Sequence, residues 1–197
     1  MSVTTALENP RKITVKELFE MELEEGYFYE LINGIIVKKQ APSPQHQKAV
    51  SQLVTIFNNF VLEKQLGDVY PSPIDVFFDK HNITQPDVLF IRKDRQFIIT
   101  KDGIQGHPNL VVEVLSPSSV SRDMTEKLAE YTSLTALDAY IVASQEEPIV
   151  WLWQRLGEDR LFPAQPVEIR GRDKAIDLEA LKISLPLAEL YRPVAKS

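Results

Sequence analysis

At 197 residues, with 44% apolar and 25% charged side chains, the chain has the size and composition of about one folded globular domain. Cysteine is absent, which excludes disulfides and thiolate metal sites, and no apolar run approaches the roughly 18 residues of a membrane span. The first residues lack the apolar core of a signal peptide, so we expect a cytoplasmic protein. The formal net charge of −6 is opposite to the basic surplus of most nucleic-acid-binding proteins, so nucleic-acid binding would require a local basic patch.

No internal repeat or long linker divides the chain, and we expect a flexible segment at residues 1–12 followed by a single domain at 13–197. Thr14 and Glu17 have the spacing of a capping box, in which each side chain accepts a hydrogen bond from the other residue's backbone N–H. This pair predicts a short helix that ends near residue 22.

A β-hairpin is predicted next, with strands at residues 27–32 and 35–37. The intervening Asn33-Gly34 is a strong hairpin signal, because both central positions of a type I′ turn need positive φ. The hairpin would carry Glu30 within its first strand.

The longest predicted helix begins after Ser43, an N-cap that is followed by Pro44 at the first helical position. Gly67 is expected to close this segment near residue 66, as glycine commonly does after a helix. Apolar residues recur at helical spacing between these ends and predict that the helix covers one face of a sheet; they are Val50, Leu53, Val54, Phe57, Phe60 and Val61.

The rest of the chain alternates between strands and helices. We expect strands at 74–78, 88–91, 110–115, 139–142 and 149–153, a helix at 121–134, and a mixed tail ending in a short helix at 187–191. This order predicts an α/β or α+β sandwich, with a mixed central β-sheet of about five strands flanked by helices.

Carboxylates interrupt four of the apolar strand segments, at Glu30, Asp75, Asp87 and Glu113. A buried, ionised carboxylate is costly unless it is paired, and a divalent cation can supply the missing positive charge to a cluster of them. A single such acid is more often a strand-end residue in water or the partner of an arginine. Asp87 and Glu113 lie on successive strands, which favours a cation site, whereas Asp75 follows a turn-rich segment and favours a structural role.

The helix predicted at 121–134 has an apolar stripe, which consists of Met124, Leu128, Tyr131 and Leu134. Lys127 lies on the flank of this stripe, while Glu126 and Glu130 lie on the opposite face. A lysine that faces the sheet needs an anionic partner, and the acids of the preceding strands are candidates. Two alternatives remain: the ammonium reaches the solvent along its aliphatic stem, or it pairs with Asp123 one turn earlier.

Several short motifs follow one another along the chain. They are YELING from Tyr29, APSP from Ala41 with HQ from His46, QPDV from Gln85, VVEVLSPS from Val111, RD from Arg122, EKL from Glu126, and Tyr131. In this order they resemble the Uma-type family of restriction-endonuclease-like proteins, a branch of the PD-(D/E)XK nuclease superfamily. The resemblance extends from about residue 15 to residue 191.

The resemblance implies a restriction-endonuclease-like core and a metal-dependent endonuclease that acts on nucleic acid, with DNA as the expected substrate. The superfamily's proline-aspartate pair matches Pro86-Asp87, and its second acid matches Glu113. The match implies that Asp87 and Glu113 bind Mg²⁺ or Mn²⁺. The superfamily's lysine normally stands two residues later, where this chain has Leu115, and Lys127 is the matching residue instead. Glu30 matches an acid that many members supply from an earlier element.

His46 and Arg122 are candidates for substrate binding. His46 lies in the first turn of the long predicted helix, where backbone N–H groups favour anions, so it could contact a phosphate or orient Glu30. An exposed first-turn histidine is the alternative. Arg122 could likewise contact a phosphate, or it could pair with Asp123 beside it.

Two other functions remain open at this point: a non-catalytic or partner-dependent binding module that keeps the nuclease fold, and a metal-dependent hydrolase of small phosphoesters. A nuclease should surround its acids with a basic groove, whereas a small-molecule hydrolase should enclose them in a pocket. Cutting both strands of DNA in one encounter needs two active sites, so a homodimer is a further expectation.

Overall fold

A computed structural model describes residues 11–116, 123–156 and 161–192. Its helices are α1 (Val15–Glu20), α2 (Pro44–Glu63), a 3₁₀ helix (Lys93–Ile98), α3 (Glu126–Ser133) and α4 (Leu187–Leu190). Within the described residues no helix is long and apolar enough to cross a membrane. The predicted flexible segment 1–12 lies almost wholly outside them, so its boundary stays a prediction.

The strands of the described residues form two six-stranded sheets and one two-stranded ribbon. In chain order they are β1 (Phe28–Ile32), β2 (Ile35–Lys39), β3 (Gly67–Pro71), β4 (Val76–Asp79), β5 (Asn82–Thr84), β6 (Val88–Arg92), β7 (Ile99–Thr100), β8 (Gly103–Gln105), β9 (Leu110–Leu115), β10 (Ala139–Ser144), β11 (Ile149–Gln154), β12 (Val167–Arg170), β13 (Ala175–Leu178) and β14 (Ile183–Pro186). The central sheet has the order β12-β11-β10-β9-β6-β3, the hairpin sheet has the order β2-β1-β5-β4-β8-β7, and β13 pairs with β14.

The central sheet is mixed, because β9 and β10 run parallel while its other neighbouring strands run antiparallel. The predicted mixed sheet flanked by helices is confirmed. In the β6–β9 pairing, Val88 lies opposite Val112. Continuing this register by one residue places Asp87 opposite Glu113, and directly opposed residues project to the same face of a sheet. The two acids therefore converge.

One face of the central sheet is covered by α2, together with the β13–β14 ribbon and α4. The Ser43 side chain caps α2 by accepting a hydrogen bond from the His46 backbone N–H. The predicted end of this helix was wrong by about one turn. It ends at Glu63, Gln65 adopts the left-handed conformation with φ 51°, and Gly67 begins β3 instead of closing the helix.

The opposite face of the central sheet is covered by α3 through a row of buried aromatic rings. The ring of Tyr131 lies 5.1 Å from that of Tyr140, which lies 5.8 Å from that of Trp153. Phe78 of the hairpin sheet meets Tyr131 edge-on at 5.7 Å. This row fixes α3 against the central sheet and joins the two sheets behind Glu113.

The sequence patterns did not predict several strands, because these strands are short and lack a regular apolar pattern. β5, β7 and β8 contain only two or three residues each. The mixed tail proves to contain β12, β13 and β14. Edge strands such as β12 have one face in water, so their composition differs little from that of loops.

Alanine at Gly34 should destabilise the fold more than alanine at Gly26. Both glycines adopt the left-handed backbone conformation, with φ of 77° at Gly34 and 84° at Gly26. A Cβ on Gly34 would lie 2.6 Å from the Cβ of Lys12 and 2.9 Å from its Cα, whereas one on Gly26 would meet nothing within 4 Å. We expect Gly26→Ala to lower the free energy of unfolding by about 1–2 kcal/mol, and Gly34→Ala to lower it by roughly 1–3 kcal/mol more. Urea denaturation measures both, and equal losses would contradict the crowding at Lys12.

Candidate active site

A cleft of about 510 Å³ opens where the hairpin sheet, the central sheet and the N-terminus of α2 meet. The polar and charged residues that line it include Lys38, Lys39, His46, Gln85, Asp87, Glu113, Asp123 and Lys127. Two of the lining lysines come from β2. Of the acids, Asp87 directly precedes β6, Glu113 lies in β9, and Asp123 lies shortly before α3. The cleft therefore brings together most of the residues that the sequence singled out.

Asp87 is held at the start of β6 by contacts with two other elements. Its Oδ2 accepts a hydrogen bond of 2.7 Å from the backbone N–H of Val114 in β9. The same oxygen lies 3.1 Å from Nε2 of His46 in α2. The side chain is only about one-tenth exposed, so its orientation is determined by the protein rather than by water.

His46 is buried, so the interpretation as an exposed first-turn histidine was wrong. Its Nε2 lies within hydrogen-bond distance of the Val114 carbonyl as well as of Asp87, and Glu30 is not its partner. Burial would lower the pKa of His46, but the hydrogen bond and the charge of Asp87 outweigh burial and leave the pKa above its usual value. His46 therefore ties α2 to the acid that precedes β6.

Glu113 lies inside β9, in which the first five residues are all buried. Its Oε1 accepts hydrogen bonds from Lys127 Nζ at 2.8 Å and from the Tyr131 hydroxyl at 3.0 Å. The Tyr131 hydroxyl is also 3.2 Å from Oγ1 of Thr84. Burial raises the pKa of Glu113 to about 8, opposed by Lys127 and reinforced by the charge of Asp87. The protonated form of Glu113 is therefore favoured at neutral pH when no added cation is present.

Lys127 is fully buried, which rules out the alternative in which its ammonium reaches the solvent. Besides Glu113, its Nζ lies 3.6 Å from Oε1 of Glu30 and 3.7 Å from Oδ1 of Asp123. The one-turn pair with Asp123 thus exists, but it is one contact of three. Burial alone would lower the pKa of Lys127, and the surrounding carboxylates raise it well above its usual value.

Glu30 reaches the same cluster from the hairpin sheet. Its Oε1 accepts hydrogen bonds from Lys39 Nζ at 3.0 Å and from the backbone N–H of Gln85 at 2.9 Å. Burial would raise the pKa of Glu30, but Lys127 and Lys39 hold it below the ordinary value. Its Oε2 is buried and has no hydrogen-bond partner among the described residues. One of its oxygens is therefore left unsatisfied by the described residues, although Glu30 is fully buried and is not among the residues that line the cleft.

Several neighbours of the site were not recognised from sequence. Lys39 lies two residues beyond the predicted strand and was not singled out, and Tyr131 was named in an apolar stripe and among the family motifs without a role in the site. Glu130 was predicted on the outer face of its helix, yet both its carboxylate oxygens are buried without a partner among the described residues. Burial raises the pKa of Glu130 to about 7. The outer-face assignment of Glu130 was therefore wrong.

The remaining sequence candidates lie outside the cluster or outside the described residues. Asp75 accepts a hydrogen bond of 2.7 Å from the side chain of Gln85, in keeping with a structural role. Arg122 falls outside the described residues, as does the side chain of Glu126, and both assignments stay predictions.

The donor atoms of the cleft fit a hard divalent cation. Four carboxylates face three cationic side chains here, so the cluster carries one excess negative charge when all are ionised. Among the described residues, no group of three or more His, Cys, Asp or Glu side chains is arranged so that it could hold a metal ion. Mg²⁺ does not need one, because it is usually held by one or two carboxylates together with waters and substrate phosphates. Asp87 and Glu113, which both line the cleft, fit that pattern.

The raised pKa of Glu113 predicts how metal-free stability depends on pH. Between pH 4.5, the ordinary pKa, and about pH 8, the folded state binds one proton more than the unfolded state at Glu113. The free energy of unfolding should therefore fall as pH rises, by at most about 1.4 kcal/mol per pH unit for this proton. Glu113→Gln should flatten the decline by that amount. Urea denaturation in EDTA from about pH 5 to pH 8 measures it, and parallel wild-type and variant profiles would contradict it.

The chain matches known proteins along most of its length. The model of the Uma2 family, described as "Putative restriction endonuclease", matches residues 15–188. An uncharacterized protein of Synechocystis sp. is 22% identical over 172 residues, which are 87% of this chain and 95% of that protein.

Among solved structures, the crystal structure of a putative nuclease from Anabaena variabilis superimposes with a TM-score of 0.72 at 18% identity. The superposition covers 91% of this chain and 97% of that one. At this identity the likeness supports the fold alone. Because the family match spans nearly all of the described residues, the protein belongs to the Uma2 family of restriction-endonuclease-like proteins.

Proposed function

We propose that this protein is a metal-dependent endonuclease that hydrolyses phosphodiester bonds in DNA. The observation that carries the proposal is the meeting of Asp87, Glu113 and Lys127 in one open cleft. The family's description as restriction endonucleases supports the choice of DNA over RNA. A homodimer would allow both strands to be cut in one encounter, and it belongs to the same proposal.

Asp87 and Glu113 would hold Mg²⁺ or Mn²⁺ beside the scissile phosphate. When bound, such an ion supplies Lewis-acid polarisation of a phosphoryl oxygen and lowers the pKa of a water molecule. Glu113 must lose its proton to take this role, and Lys127 and Tyr131 hold one of its oxygens in place. His46 would act as a positioning residue, because it fixes Asp87 from the side of α2.

Lys127 would stabilise the negative charge that develops on the phosphate, or it would orient the attacking water. Its contacts with Glu30, Glu113 and Asp123 hold the ammonium in one place, so little reorganisation is needed during the reaction. Glu30 would position Lys127 and accept a hydrogen bond from a water through its unpartnered oxygen. We further propose Arg122 as a phosphate contact, on the basis of its sequence position.

A non-catalytic binding module is the alternative with a specific observation in its favour. The acids of the cluster are paired with cationic side chains of the protein itself. The cluster would therefore be stable in a protein that binds a ligand without catalysing a reaction. A hydrolase of small phosphoesters is less favoured, because the cleft is open rather than enclosed and the family is described as restriction endonucleases. Lys38 and Lys39 line the cleft, but their charges are paired with Glu24 and Glu30. Cleavage of supercoiled plasmid DNA with Mn²⁺ separates these functions: a binding module leaves the plasmid intact, and a phosphoesterase hydrolyses only small substrates.

Mn²⁺ should stabilise the folded protein through Asp87. A ligand that binds only the folded state raises stability by about 2.7 kcal/mol when its concentration is 100 times its Kd. The thermal midpoint should therefore rise in millimolar Mn²⁺, and Asp87→Asn should lose this rise. Asp177→Asn, which changes an exposed carboxylate of β13, serves as the matched control and should keep the full rise. An equal rise in both variants would exclude Asp87 as a ligand.

Replacement of Lys127 should remove cleavage. The loss of one preorganised group that stabilises transition-state charge typically costs a factor of about 10²–10³ in rate, so we expect this loss in Lys127→Met. The variant should also be less stable by roughly 3–5 kcal/mol, because three buried carboxylates lose their cation.

A second variant keeps this test valid if Lys127→Met does not fold. Lys127→Arg retains the positive charge but replaces a compact ammonium with a planar guanidinium, so it should fold and still lose most of the rate. Lys101→Met is the control, because the side chain of Lys101 is 90% exposed. Single-turnover cleavage is measured below the thermal midpoint of each variant. Wild-type rates in folded Lys127→Met or Lys127→Arg would exclude Lys127 from the catalytic groups, whereas the absence of cleavage by the wild type itself would favour the binding module.

A further inference from the structure

A second concave surface lies beside the cleft, on the other side of the first turns of α2. Its volume is about 480 Å³, and it shares Gln145 with the cleft. Gln45, Lys48 and Gln52 recur at helical spacing, so they occupy one side of α2 and line this second surface. His46, on the other side of the same turns, lines the cleft. The two concavities are therefore neighbours, separated by α2.

The second surface is basic in a protein whose net charge is −6. Lys48, Arg172 and Arg192 line it, against one lining acid, Glu146. Lys48 and Arg172 are exposed, and neither forms an ion pair with another described residue. Arg192 lies 3.3 Å from Glu189, which offsets part of its charge. We call this surface, defined by Lys48, Arg172 and Arg192, the basic groove.

The basic groove is held in shape by hydrogen bonds between the elements that form it. Gln45 Nε2 donates to the carbonyl of Gln145 at 3.3 Å and so joins α2 to the β10–β11 turn. The Tyr191 hydroxyl lies 2.7 Å from the carbonyl of Ser144 and 3.0 Å from that of Ile149, and joins the end of α4 to the same turn. The groove is thus preformed, which lowers the entropic cost of binding a ligand there.

We propose that the basic groove binds the phosphate backbone of the nucleic acid on one side of the cleavage point, with Lys48 and Arg172 as its phosphate contacts. This inference rests on the proposed function, and it adds where the nucleic acid lies on the protein and on which side of the cleavage point it continues. Lys48 is two residues from His46, which is about 3 Å along the axis of α2 but on the other side of the helix. Because Gln145 lines both concavities, a strand that leaves the cleft past Asp87 can cross the first turn of α2 to reach the groove. Unpaired cations that release counterions from phosphates supply affinity without reading base sequence.

The salt dependence of DNA binding tests this proposal. A fluorescent duplex of about 30 base pairs is titrated with wild type and with Lys48→Ala/Arg172→Ala in EDTA, so that binding is measured without cleavage. Loss of two phosphate contacts should raise Kd about tenfold at moderate salt and reduce the slope of log K against log salt by about 2. Lys16→Ala/Lys101→Ala removes two lysines whose side chains are 84% and 90% exposed, and it should bind like wild type.

The outcomes distinguish failure of the groove from failure of the proposed function. Wild-type affinity and slope in Lys48→Ala/Arg172→Ala would overturn the groove, while plasmid cleavage by wild type would still support the nuclease. A loss of affinity in that variant, with kcat retained at saturating DNA, supports the groove. Absence of DNA binding by wild type in EDTA would overturn the groove, and absence of plasmid cleavage with Mn²⁺ as well would overturn the proposed function. Unchanged DNA affinity with loss of polyglutamate binding would assign the groove to an acidic polypeptide and overturn its assignment to nucleic acid.

Discussion

The buried ammonium of Lys127 is the interaction on which the rest of the site depends. Its three carboxylate partners come from three parts of the chain: Glu30 from the hairpin sheet, Glu113 from the central sheet, and Asp123 from the segment before α3. Taking such charges out of water costs several kcal/mol per ion, and well-packed apolar side chains are often as stabilising. An arrangement this costly is therefore more readily explained by chemistry than by stability.

The fold supplies the geometry that this cluster needs. The β6–β9 register brings Asp87 and Glu113 to one face of the central sheet. The aromatic row packs α3 against that face and so fixes how close Lys127 lies to the two acids. Tyr131 belongs to both systems, because its ring packs in the row while its hydroxyl donates to Glu113. Packing and charge placement are thus coupled through a single side chain.

The two central acids could be predicted because a carboxylate within an apolar strand is a conspicuous local conflict, and Lys127 could be predicted from the face of its helix. The position of His46 could not, because only the tertiary approach of α2 to β6 shows that it contacts Asp87. The role of Lys39 likewise depends on a tertiary contact, since its Nζ lies 3.5 Å from the carbonyl of Gln85. The short strands of the hairpin sheet escaped prediction for a similar reason: their pairing is long-range and their segments carry little periodicity.

The charge balance around Lys127 also constrains how such a sequence can change over evolutionary time. A neutral residue at this position would leave Glu30, Glu113 and Asp123 to repel one another in a nearly water-free interior. Lineages that lose the lysine should therefore lose one or more of these acids in the same period, or acquire a cation from a neighbouring helix position. The four positions are expected to vary together as a unit, and a homologue that keeps the acids without the lysine should carry another buried positive charge nearby.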